Sequence, residues 1–64
     1  MTREEWMARY RARLTARRPG LTRRDLDDLA SLEAYHDLCV DNPDNPEKAA
    51  DMELREWDKE DRPS

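Results

Sequence analysis

The chain of 64 residues contains no phenylalanine and no isoleucine, one valine and three threonines. So few β-branched and aromatic residues leave little that favours a half-buried strand, and the composition predicts an all-α protein. Cysteine occurs once, at Cys39, which excludes an intramolecular disulfide. A lone thiol fits a reducing compartment, so a cytoplasmic location is expected. Glycine also occurs once, too little for a glycine-rich phosphate loop, and the single histidine offers no Ser-His-Asp set that could be arranged in a pocket. No apolar run approaches the roughly 18 residues that a membrane span requires. Arg3, Glu4 and Glu5 stand where a secretory leader would carry a basic start and an apolar core. Neither export nor membrane contact is expected. A mass of 7.6 kDa leaves too little bulk to enclose a substrate cavity, which typically takes roughly 300 Å³ or more. No enzyme, no small-molecule substrate and no cofactor are expected.

What the chain does have is a series of helix start and stop signals. Thr2 opens a Thr-Arg-Glu-Glu capping box with Glu5, and Met1 and Trp6 occupy the two positions of a hydrophobic staple. The pattern predicts a first helix over residues 2–17, its inner face formed by Trp6, Met7, Tyr10 and Leu14, stopped by Pro19 and by a left-handed turn at Gly20. A second start follows at Thr22, with Asp25 three residues on and Leu21 and Leu26 as the staple. The helix expected from it spans residues 22–40. Its apolar residues recur every three positions, a spacing that drifts around a helix of 3.6 residues per turn and so covers two faces. Two Asn-Pro pairs interrupt the pattern at residues 42–46. Asn45 is a good cap and Pro46 a good first position for a third helix over 46–58, with Ala50, Leu54 and Trp57 inward. Residues 59–64 form a charged, fraying tail. The expected architecture is a single domain over 1–64: a long helical hairpin with a shorter third helix against it.

Charge is segregated along this chain. Residues 1–24 hold eight Arg and two Glu, whereas residues 25–64 hold four basic and fourteen acidic residues. The total of −4 hides that asymmetry. Arg9, Arg13 and Arg17 recur every four residues, about 6 Å apart along a helix, and Arg23 and Arg24 open the second helix against its dipole. These five are the candidate polyanion contacts. Glu47, Asp51, Glu53 and Asp58 on the third helix are the candidate acidic docking face, for a basic partner or as a nucleic-acid mimic. The two rows can also neutralise each other within one chain, with the arginine stems lying along the rim of the apolar face.

Two further groups are candidate partner-binding residues. Ala8, Ala12 and Ala16 line the back of the first helix, where small side chains would admit a neighbouring helix. Leu29, Leu32, His36 and Cys39 form the second face of the helix over 22–40. His36 and Cys39 are one turn apart, but a structural zinc takes four such ligands and the chain holds no other His or Cys, so no metal is expected. Prolines at 43 and 46 and the lack of glycine in the loop likewise exclude an EF-hand reading of the acidic segment 41–47. A core this small, with no disulfide or metal, gains from association. The function expected is therefore non-catalytic: a cytosolic helical protein that binds another protein as adaptor, regulator or inhibitor, or itself as a homodimer. The alternatives are a nucleic-acid-associated protein using its Arg-rich first helix, and an acidic mimic of nucleic acid.

Overall fold

The computed structural model describes residues 1–60. They form four helices, α1 (Arg3–Arg17), α2 (Arg23–Leu29), α3 (Leu32–Asp41) and α4 (Pro46–Glu60), and no strand. Among the described residues the fold is all-α, as the composition requires.

Each helix starts at the cap its sequence supplies. The Thr2 hydroxyl accepts from the Glu5 amide at 3.1 Å, although only this half of the expected box forms. At Thr22 both halves form, the Asp25 carboxylate accepting from the Thr22 amide and the Thr22 hydroxyl from the Asp25 amide, each at 3.1 Å. The Asn45 side chain accepts from the Lys48 amide at 3.1 Å, and Pro46 begins α4 where its missing N–H costs nothing. α1 ends without the expected left-handed glycine. Arg18 leaves helical geometry before Pro19 while its amide closes on the Leu14 carbonyl at 2.8 Å, and Gly20 keeps an ordinary φ. α4 runs two residues beyond the expected end, to Glu60. The rest of the predicted tail, 61–64, lies outside the described residues.

The helix expected over 22–40 is two helices. Ala30 leaves helical geometry, and Ser31 is extended, its hydroxyl capping α3 by accepting from the Ala34 amide at 3.2 Å. The drift in the apolar spacing explains the break. A straight helix would carry Leu26 and Leu29 toward the core but rotate Tyr35 and Leu38 away from it, whereas a re-phased second segment returns both to the core's edge. Interrupting the helix strands the Leu29 carbonyl, to which no backbone amide among the described residues donates; the Tyr10 hydroxyl donates to it at 2.8 Å. The Trp6 indole N–H likewise donates to the Asn42 carbonyl at the end of α3, at 2.9 Å. Two buried aromatic side chains of α1 thus hold the ends of α2 and α3, Tyr10 at a carbonyl with no backbone donor among the described residues and Trp6 at one that also accepts from the Asn45 amide at 3.4 Å.

The main packing is between α1 and α4 rather than within a hairpin of the first two expected helices. Arg9 meets Glu47, Arg13 meets Asp51 and Arg18 meets Asp58. Residue numbers rise together along both helices, so the two run parallel. The α2–α3 segment is the crossover that parallel packing requires, carrying the chain back to the start of α1. The core places the large side chains Trp6, Tyr10 and Leu14 of α1 against Ala49, Ala50 and Leu54 of α4, with Leu29 and Ala30 from the break. The alanines, fully buried, let α4 approach the stacked rings of Trp6 and Tyr10, whose centroids are 5.1 Å apart. Tyr35 closes the opposite side, edge-on to Trp6 at 5.1 Å.

Candidate interaction surface

The basic and acidic rows form one seam. Arg9 grips Glu47 with two parallel bonds of 2.9 Å, from Nε to Oε2 and from Nη2 to Oε1. Arg13 grips Asp51 in the same way at 3.0 Å, and Arg17 reaches the same carboxylate at 3.8 Å. Arg18 pairs with Asp58, and Arg11 with Asp27 of α2 at 3.1 Å. Hydrogen bonding from Arg9 and Arg13 holds the Glu47 and Asp51 carboxyls below their ordinary values, and the Asp51 bond raises Arg13. Planar guanidinium forks match carboxylates in this geometry, and at four-residue spacing on parallel helices the match repeats. Arg9 is therefore brought onto Glu47, Arg13 and Arg17 onto Asp51, and Arg18 onto Asp58. Glu53 takes a different place, half-buried, where its charge adds to burial in raising the Tyr10 hydroxyl above the ordinary tyrosine value.

Arg23 and Arg24 stand apart from this seam, exposed at the start of α2 and without an ion pair among the described residues. Ala8, Ala12 and Ala16 are exposed along the back of α1, uncovered by any other helix among the described residues.

The four residues expected to share one binding face of the second helix part company at the break. Leu29 belongs to the core, 4% exposed, because α2 turns it inward toward Tyr10; it is not part of any surface. Leu32, His36 and Cys39 lie on α3, the first two exposed and Cys39 half-buried. Val40, which the sequence reading left out, continues the row and is 81% exposed, while Leu32 is 56% exposed. Beside this apolar strip runs a row of exposed carboxylates, Glu33, Asp37 and Asp41, none in an ion pair among the described residues. Their four-residue spacing is legible in the sequence, interleaved with the apolar period of the same helix. On the far side of this acidic row, toward α4, Leu38 and Met52 line a groove of about 170 Å³ rimmed by Glu53, Arg55 and Glu56.

A larger open groove, about 520 Å³, lies where α1 and α4 end, bounded by Arg17, Arg18, Leu21, Trp57 and Asp58. Its arginines are those already engaged by Asp51 and Asp58. No group of three or more His, Cys, Asp or Glu side chains among the described residues could hold a metal ion. No helix among them is long and apolar enough to cross a membrane. The chain matches no protein-family model, no curated protein and no solved structure. The class the fold defines is a small all-α protein, with four helices among the described residues.

Proposed function

We propose that this protein is a non-catalytic protein-binding module, an adaptor, regulator or inhibitor, whose recognition surface is the outer face of α3. One observation carries the reading: α3 has no buried residue, yet it displays Leu32 and Val40, two of the four large apolar side chains left exposed among the described residues. Side chains that stay in water forgo the roughly 1.5 to 3 kcal/mol that burial of a Leu or Val would supply. Covering them with a partner recovers that term.

The seam between α1 and α4 weakens the alternatives. A phosphate-binding row would need Arg9, Arg13 and Arg17 free of carboxylates; of the five arginines expected to contact a polyanion, Arg23 and Arg24 alone make no ion pair among the described residues. A mimic of nucleic acid would need Glu47, Asp51 and Asp58 turned outward. The single half-buried thiol is compatible with work in the cytoplasm.

The test is capture from a nuclease-treated lysate of the source cells on the tagged protein, with wild type run beside a Leu32→Ser, Val40→Ser double variant. A stoichiometric protein retained by wild type and lost from the variant supports the reading. Equal retention by both, or bound material that disappears with nuclease, overturns it.

A further inference from the structure

We infer that the occupant of the α3 face is a basic amphipathic helix of another protein, with its apolar stripe on Leu32, His36 and Val40 and its lysine or arginine row on Glu33, Asp37 and Asp41. The inference rests on the proposed role of α3 and adds the chemistry of the partner. Leu32, His36 and Val40 repeat every four residues, about 6 Å apart, and Glu33, Asp37 and Asp41 repeat beside them with the same rise. Any helix laid along α3 meets an apolar stripe and an anionic stripe side by side. Apolar residues at helical spacing flanked by cations at the same spacing fit both.

Glu33 stands in the first turn of α3, where its charge suits the helix dipole, but the placement of Asp37 and Asp41 argues that these two are not there for the helix itself. A helix C-terminus carries partial negative charge and favours cations. The last turn of α3 carries no basic residue and ends in Asp41, with Asp37 one turn before it. Unlike Glu47 and Asp51, these groups have no ion pair with an arginine among the described residues, even though the same sequence supplies guanidinium forks for its other acidic row. Cations from outside would neutralise both the carboxylates and the helix end.

A second copy of this chain fits poorly. A two-fold axis lying across α3 would pair the helices antiparallel and set each acidic row against its own copy, Asp37 against Asp37 and Glu33 against Asp41. Like charges so placed are repulsive. The exposed face of α1 that such a copy could offer instead carries Glu4 and Glu5 beside its alanines.

Binding is measured by fluorescence anisotropy with the full chain and three labelled 18-residue peptides: a Leu/Lys helix with one apolar stripe, the same residues shuffled to abolish the stripe, and a Leu/Glu version of the striped peptide. The striped basic peptide is expected to bind, and the shuffled one at least about tenfold more weakly. Leu32→Ser with Val40→Ser, and separately Glu33→Gln with Asp37→Asn and Asp41→Asn, should each weaken it by about tenfold or more, with affinity falling as salt rises. All five positions are exposed, and circular dichroism of each variant verifies the helix content. Absence of binding, equal binding of the shuffled peptide, or insensitivity to both variant sets overturns the inference. Preference for the Leu/Glu peptide, or sedimentation as a dimer abolished by Leu32→Ser with Val40→Ser, also overturns it while leaving α3 as a binding face. Failure of the lysate capture described above, by contrast, removes the face itself.

Discussion

Replacing Tyr10 with phenylalanine removes one oxygen atom from the centre of the molecule and keeps the ring that stacks on Trp6. Tyr10 is fully buried, and its hydroxyl is the donor to the Leu29 carbonyl at 2.8 Å, where the helix stops between α2 and α3. No backbone amide replaces it, so the variant leaves a buried acceptor unpaired in the core. Losing a net hydrogen bond costs about 1 kcal/mol, and stranding its partner raises the cost toward about 2 kcal/mol. In a domain whose core supplies about 3 to 5 kcal/mol, that is a large share. At about 4 to 8 °C per kcal/mol for a chain of this size, the melting temperature should fall by about 4 to 16 °C. Thermal unfolding followed by circular dichroism at 222 nm reads the change directly. Helix content at low temperature should be unchanged, because the caps at Thr22, Ser31 and Asn45 remain. A melting temperature equal to that of wild type would refute the assignment of the Tyr10 hydroxyl as the lock on the break.

Ser31→Ala removes the oxygen that accepts from the Ala34 amide and should cost about 0.5 to 2 kcal/mol, measured as a lower urea midpoint with little change in helix content. Glu47 and Asp51 titrate below their ordinary values of 4.5 and 3.8 because Arg9 and Arg13 bond to the charged forms. In acid the unfolded chain therefore binds more protons than the native one: the contribution of these carboxyls is intact above their ordinary values and lost as pH falls through the depressed native ones. A Glu47→Gln, Asp51→Asn variant should accordingly show a flatter acid limb in urea midpoints measured from neutrality downward, and an unchanged acid limb would contradict the seam. The Tyr10 hydroxyl is displaced upward, mainly by burial and further by Glu53. Its contribution is complete below the ordinary tyrosine value of 10.0 and declines above it as the unfolded chain ionises. Absorbance at 295 nm during alkaline titration should thus show one tyrosine ionising only together with unfolding; two tyrosines titrating reversibly in the folded protein would exclude its burial.

Much of this protein is written locally. The lack of strand-forming residues determined the all-α class, Thr2, Thr22 and Asn45 determined three helix starts, and the row Trp6, Tyr10 and Leu14 determined the inner face of α1. Such signals act within one or two turns of chain, through caps, staples and periodicity, and so are readable without the fold. The break at Ala30 and Ser31 was present only as a drift in apolar spacing. Serine caps a helix when something else favours ending the previous one, and here that is the core, which needs Leu29 and Tyr35 on the same side, together with a tyrosine hydroxyl arriving from 19 positions earlier in the chain. The parallel seating of α4 on α1 is likewise a tertiary outcome. Sequence spacing placed Arg9 and Arg13 in one row and Glu47 and Asp51 in another, but charge acts through space, and only the return path through α2 and α3 turned two candidate surfaces into a single internal seam. By the same route the fold left α3 as the helix with apolar and acidic rows still facing water.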